Sequence, residues 1–262
     1  MRVNGIDLFL RDPGPKAGPP VVLLHGFPFD HTLWDPQVAG LGPEFRVVAY
    51  DARAHGLSAG AGSPFAFEDF VDDLLGVLDG LRIDRAILVG LSMGGYVALR
   101  FAEREPARVR ALVLSDTKSA ADGDEARLAR AAGARKVRES GVAAFADGFL
   151  PKALAKRTLE GRPGVVAKVR GMILGCSAAG IAGTLLAMAG RTDTTASLGR
   201  IRVPALVLVG AEDALTPPSD ARALAAAIPG ARLAEIPGAG HLPNLEQPDA
   251  FRAALLDFLR TA

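Results

Sequence analysis

The chain has 262 residues, of which 49% are hydrophobic and 23% charged, with a net charge of +1. So even a balance gives no electrostatic case for nucleic acid, and no basic run restores one. A single cysteine, Cys176, excludes an intramolecular disulfide framework and reads as a small buried hydrophobe.

Residues 3–10 alternate polar and apolar side chains, which predicts an antiparallel edge strand, followed by the turn-rich DPGPKAGPP. Solid Val/Leu/Ile runs follow at 21–24, 46–50, 86–90, 111–114 and 205–209, with a shorter one at 233–236. Unbroken runs of this kind are strands covered on both faces. Helical spacing occupies 67–81, 93–104, 221–227 and 250–259. Strands alternating with helices predict one α/β domain over 1–262, with a parallel sheet joined by right-handed crossovers. From Thr117 to about Leu198 no strand-like run occurs, and apolar residues fall at helical spacing in 142–149 and 165–174. This predicts several short helices, inserted at about 118–198 as a cap where loops surround the ligand crevice. The N-terminus has no long apolar core, so it does not read as a signal peptide. Residues 171–189 are apolar but interrupted by four glycines, too weak for a membrane span.

Gly90-Leu91-Ser92-Met93-Gly94 is a G-x-S-x-G motif between the strand AILVG and the helix MGGYVALRFAER. A strand that reverses into a helix within a residue or two strains the residue at the apex. Side chains two positions to either side would collide, so both are glycine. The serine hydroxyl then stands at the top of the sheet, and the Met93 N–H points into the same space at a helix N-terminus. A serine that merely caps the helix is the bland alternative. His25-Gly26-Phe27-Pro28 follows an earlier strand, and the Phe27 N–H is the matching second oxyanion donor. His25, directly beside that turn, reads as structural.

A serine needs a base to take its proton, and the base needs a group to hold its tautomer. His241, in Gly238-Ala239-Gly240-His241-Leu242-Pro243 before the last helix, is the candidate base. Asp213, just after the run ALVLV, is the candidate acid. Glu212 is its neighbour, and Asp116 is the other acid at a strand end, with capping of the inserted region as its bland role. The order Ser92, Asp213, His241 is nucleophile, acid, base.

HGFPFD, DARAHGLS, GLSMGGYVA, VLVGAEDALTPP and GAGHLPNLEQP, in this order and spacing, resemble the α/β-hydrolase superfamily over nearly the whole chain. The resemblance is greatest to bacterial carboxylesterases with a small helical cap, near the 3-oxoadipate enol-lactonase-like hydrolases. It implies an eight-stranded, mostly parallel sheet whose first pairing is antiparallel, although the sequence yields only seven strand segments. It also implies that Asp51, Arg53, His55 and Gly56 order the backbone beside the site, and that Arg191-x-Asp193 is the hinge from cap to core. Dehalogenases and epoxide hydrolases of this fold carry aspartate where this chain has Ser92, so those activities are not expected. The short HGF loop is similar to that of members preferring short to medium acyl groups.

The expected function is therefore a serine carboxylesterase acting through an acyl-enzyme on a small-molecule ester, with no cofactor and no metal. Enol-lactone, peracid-forming and carbon–carbon bond chemistry on the same triad are the alternatives, and a non-catalytic binding protein on this fold is the alternative of another class. Phe29, Trp34, Leu215 and Leu242, with Phe145, Phe149, Met172 and Ile173 from the cap, are the expected pocket wall. That wall reads as apolar, with no Arg or Lys placed to bind a carboxylate, which favours neutral esters. A monomer or homodimer in the cytoplasm, with no nucleic-acid or membrane partner, completes the expectation.

Overall fold

The computed structural model describes residues 1–42, 44–60 and 62–262. The first residues form a small hairpin, β1 (Arg2–Val3) against β2 (Ile6–Asp7). Its turn residues Asn4 and Gly5 have φ of 46° and 81°. An Asn-Gly pair meets that demand cheaply and is a strong hairpin signal. The single edge strand expected over 3–10 is therefore broken. Only its end, β3 (Leu10–Arg11), joins the main sheet.

Next come β4 (Pro20–Leu24), α1 (Asp35–Leu41), β5 (Arg46–Tyr50), α2 (Glu68–Gly80), β6 (Ala86–Leu91), α3 (Met93–Arg104) and β7 (Val109–Ser115). After the insertion come β8 (Ala205–Gly210), α8 (Pro218–Ala227), β9 (Arg232–Ile236), α9 (Pro243–Glu246) and α10 (Pro248–Leu259). The main sheet has seven strands in the order β3-β5-β4-β6-β7-β8-β9, not the eight implied by resemblance. Only the β3–β5 pairing is antiparallel. All six residues of β6 and of β8 are buried, which explains their unbroken apolar runs. Each such Val, Leu or Ile contributes about 1.5–3 kcal/mol on burial.

The helices that cover the sheet show the expected stripe. In α2, Phe70, Val71, Leu74, Val77 and Leu78 are buried, and Glu68 and Asp69 occupy the first turn, where the helix dipole favours acids. In α3, Arg104 lies in the last turn and Pro106 follows, so the helix stops there. The chain winds from β4 out to β5, then crosses back to β6 and proceeds to the other edge. The loops after β4 and β6 thus meet at the switch point of the sheet, where an open α/β sheet forms its crevice.

Four helices lie between β7 and β8: α4 (Asp124–Ala153), α5 (Lys156–Gly161), α6 (Pro163–Leu174) and α7 (Ala178–Ala189). The first is longer than the short helices expected, although Gly141, with φ 82° and ψ 167°, breaks it in two. Among the described residues no single helix is long and apolar enough to cross a membrane, and α6 and α7 are bent by 89°.

Candidate active site

Ser92 sits between β6 and α3 with φ 54° and ψ −112°, a left-handed backbone that a non-glycine residue adopts only under constraint. The constraint is visible in the glycines around it. A Cβ at Gly90 would collide with the Gly94 carbonyl, one at Gly94 with the Leu24 carbonyl, and one at Gly95 with the Thr117 side chain. The Ser92 N–H donates to Ser115 O (2.8 Å), and Thr117 Oγ1 donates to Ser92 O (2.8 Å). The Phe27 and Met93 N–H groups, on the neighbouring β4 loop and at the start of α3, have no hydrogen-bond partner among the described residues.

His241 is buried in the loop between β9 and α9, and its Nδ1 lies 2.8 Å from Asp213 Oδ2. Asp213 also accepts from Thr216 Oγ1 (2.7 Å) and from the Leu215 N–H (2.8 Å). Burial pushes its carboxyl up, but the His241 charge and these hydrogen bonds outweigh it and hold the group below its ordinary value. Glu212 is exposed, so only one of the two adjacent acids faces His241. Asp116 is fully buried, with φ 47°. It does not cap the insertion. Its Oδ1 accepts from the Gly210 N–H (2.8 Å), tying β7 to β8, and its Oδ2 accepts from Ser115 Oγ (2.6 Å). Oxygens of Asp116 and Asp213 and a nitrogen of His241 lie within 4.8 Å of one another. Burial, and then the charge of Asp213, push the Asp116 carboxyl well above the usual range. The two carboxyls are thereby pushed in opposite directions, Asp213 down by its partners and Asp116 up by burial.

The loop of His241 is held by a residue that nothing beyond its place in the last motif marks in the sequence. Glu246, fully buried at the end of α9, accepts from the Gly240 N–H (2.9 Å) and the Leu242 N–H (3.3 Å) on either side of the histidine. Its other oxygen accepts from the Ala155 N–H (2.9 Å) and Thr158 Oγ1 (2.6 Å) in the insertion. One carboxylate therefore ties the His241 loop to the start of α5.

The remaining histidines are structural. His25 Nδ1 lies 2.8 Å from Gly26 O, and its Nε2 accepts from the Ala52 N–H (2.9 Å), which fixes a neutral tautomer. Burial, against the pull of Asp51, lowers its pKa. Burial takes His55 down to about 3. Asp51 accepts from the His31 N–H (2.6 Å), His31 Nδ1 (2.7 Å) and the Leu57 N–H (2.8 Å), ordering the turn at Gly56. Arg53 is held by Asp73 through two hydrogen bonds of 2.8 and 2.7 Å. Arg191 pairs with Asp122 (2.7 Å) rather than Asp193. Asp193 instead accepts from the Ala121 N–H (2.9 Å), so the motif joins the two chains entering and leaving the insertion. Cys176 is buried, and burial raises its thiol to about 11.

A cavity of about 400 Å³ brings Ser92, His241 and Phe27 together with Tyr96, Leu215, Phe145 and Phe149. Phe145 and Phe149 stack with centroids 5.8 Å apart, one helical turn apart on α4. Phe29, Trp34, Met172, Ile173 and Leu242 do not line it. They are packed in the core at 4% exposure or less, because neither closeness to a motif, as for Phe29, Trp34 and Leu242, nor a place in the cap, as for Met172 and Ile173, sets a side chain's direction. The expectation of a wholly apolar wall also fails, since Lys118, Arg130 and Lys152 line the cavity.

A model of the alpha/beta hydrolase fold matches residues 19–248. The chain belongs to this family. Among solved structures, this α/β-hydrolase is 40% identical to a thermophilic esterase from Thermogutta terrifontis solved with malate bound, with a TM-score of 0.93 over 98% of this chain and 94% of that one. It is 36% identical to an enol-lactonase from Burkholderia xenovorans LB400, with a TM-score of 0.92 over 98% of both chains. It is also 30% identical to 3-oxoadipate enol-lactonase 2 of Acinetobacter baylyi, over 92% of this chain and 89% of that protein. The chain is a hydrolase with esterase and enol-lactonase neighbours.

Proposed function

We propose that the protein is a serine carboxylesterase that cleaves short- to medium-chain esters through an acyl-enzyme. The observation that carries this reading is Ser92, held at φ 54° over the same cavity as a His241–Asp213 pair. His241 takes the Ser92 proton, and the serine oxygen attacks the ester carbonyl. The N–H groups of Phe27 and Met93 receive the oxyanion, and each such donor is worth about 10²–10³ in rate. His241 then protonates the departing alcohol, and water activated by His241 releases the acid. Asp213 accepts from His241 Nδ1, which orients the ring and stabilises the imidazolium. A volume of about 400 Å³, narrowed by Phe145 and Phe149, favours short acyl chains.

Hydrolysis of p-nitrophenyl esters from acetate to palmitate by the parent and Ser92→Ala tests the reading. Turnover that peaks at short chains and falls by at least about 10⁴-fold in the variant is expected. A Ser92→Ala protein that keeps the parent rate overturns it. The two enol-lactonase relatives favour a second substrate form, a lactone, in which the departing alcohol stays tethered to the acyl group. A lactone panel beside the linear esters separates the two forms.

A further inference from the structure

We infer that the preferred ester carries a carboxylate beyond its reacting carbonyl, selected by Lys118 and Lys152 on the cavity wall; this rests on the ester-hydrolase reading above. The wall carries three cations, Lys118, Arg130 and Lys152, and one carboxylate, Asp122. That carboxylate is already committed. It takes hydrogen bonds from Arg130 and an ion pair from Arg191 at 2.7 Å. Two guanidiniums thus share one carboxylate, and the cluster keeps a positive excess. Arg191 is buried and lies 4.3 Å over the ring of Tyr96, which itself lines the cavity.

Lys118 and Lys152 form no ion pair or side-chain hydrogen bond among the described residues. Lys168, outside the cavity, shows the usual alternative, pairing with Asp35 at 2.7 Å. Lys118 is half-buried, and its backbone is anchored through the preceding Thr117, whose hydroxyl bonds the Ser92 carbonyl at 2.8 Å. Lys152 also lines a second cavity of about 200 Å³, which adjoins the first at Phe145 and Phe149. The apolar part of the wall includes Phe27, Phe145, Phe149, Leu185, Met188 and Leu215. Low-dielectric walls concentrate the field of unpaired cations and raise the local concentration of an anionic substrate. A neutral chain gains only the apolar contact. A chain ending in a carboxylate gains that contact and a charge-assisted hydrogen bond.

The test compares ethyl hydrogen glutarate with ethyl pentanoate, two acyl chains of equal length that differ in the terminal group. In the parent, kcat/KM is expected to favour the glutarate ester at least about tenfold, or about 1.4 kcal/mol. Raising the salt from about 0.01 to 0.15 M shortens the Debye length from roughly 30 to 8 Å and lowers that ratio. Lys118→Glu brings the ratio to about one or below, mainly through KM, because the charge is remote from the reacting carbonyl. Lys118→Arg preserves the ratio, and Lys152→Glu lowers it less than Lys118→Glu, Lys152 being the more exposed. A parent that hydrolyses the pentanoate ester through Ser92 but shows no glutarate preference overturns this inference and leaves the esterase reading intact. So does a preference that survives the Lys118→Glu/Lys152→Glu double variant. Absence of turnover on both esters brings down both.

Discussion

The strand-end loops and the helical insertion face each other across one cavity, yet they use glycine in opposite ways. Around Ser92 and His241, Gly90, Gly94, Gly210 and Gly240 stand where backbone meets backbone. A Cβ at Gly94 would strike the Leu24 carbonyl, and one at Gly210 would strike the Gly240 carbonyl. In the insertion, Gly148, Gly164 and Gly171 face open space, and a main-chain carbonyl, that of Ala54, closes in at Gly180 where α7 meets the strand-end loops. The chemical end of the site is over-determined by main-chain contact that no rotamer change relieves. The recognition wall is made of side chains on helices whose own packing leaves room. Changes at the first are expected to abolish the reaction, and changes at the second to retune it.

The largest test of that contrast is Asp213→Asn. The amide keeps the shape and loses the charge that holds the His241 tautomer, so kcat is expected to fall about 10⁴-fold with folding retained. Asp116 sharpens the point. Because its oxygens bond the Gly210 N–H and Ser115 Oγ rather than His241, Asp116→Asn is expected to cost far less in kcat than Asp213→Asn, and steady-state kinetics of the pair decides it. If the two lose equally, the carboxyls act as one unit and the division of roles drawn above fails.

How much of this was legible in the sequence differs between the two regions for the same reason. The buried strands announce themselves because both faces are covered, and G-x-S-x-G announces itself because steric demands leave no other residue possible. The hairpin at Asn4-Gly5 was equally legible, and alternation over 3–10 concealed it. The cavity wall was not legible. Phe29 and Trp34 adjoin the HGF loop but are fully buried, whereas Phe145 and Phe149 reach the cavity because they share one face of α4. Lys118, Arg130 and Lys152 come together only through the fold of the insertion, and no local pattern marks them. Glu246 was unread because a glutamate near a helix end is ordinarily a solvated one, and its four partners come from two distant segments.

The next effect in size concerns pH. All four histidines, His25, His31, His55 and His241, belong to the strand-end loops and none to the insertion. His55 is driven by burial to about 3, and His25 is lowered chiefly by burial. The unfolded chain binds these protons near pH 6.5, while the folded protein refuses them. For His55, stability present above about pH 6.5 is therefore lost as pH falls toward 3, at roughly 1.4 kcal/mol per unit, and His25 acts in the same direction. Asp116 opposes this in part. Its raised carboxyl makes the fold gain stability as pH falls from its folded value toward 3.8. His31, raised by its hydrogen bond to Asp51, acts above 6.5, losing its stabilisation as pH rises through its folded value. The net expectation is a urea midpoint that declines between pH 6.5 and 4, and declines less steeply in His55→Gln. An equal slope in both proteins places the acid-sensitive groups elsewhere and removes this distinction between the regions.

The smallest effect has the opposite sign. Gly171 lies inside α6 with nothing within 4 Å of where a Cβ would stand. A glycine in a helix interior costs roughly 0.5–1 kcal/mol relative to alanine, because its unfolded backbone has more freedom to lose. Gly171→Ala is therefore expected to stabilise the protein by about that amount in urea titration, with kcat/KM on a short ester unchanged, since residue 171 does not line the cavity. The same substitution at Gly94 forces a main-chain collision and is expected to destabilise by about 1–3 kcal/mol or more. The chemistry of the two exchanges is identical, so the difference in sign isolates the surroundings. If Gly171→Ala destabilises, α6 is packed more tightly than its open glycine implies. The insertion would then share the rigidity of the strand ends, and retuning the wall by substitution would carry a cost in folding.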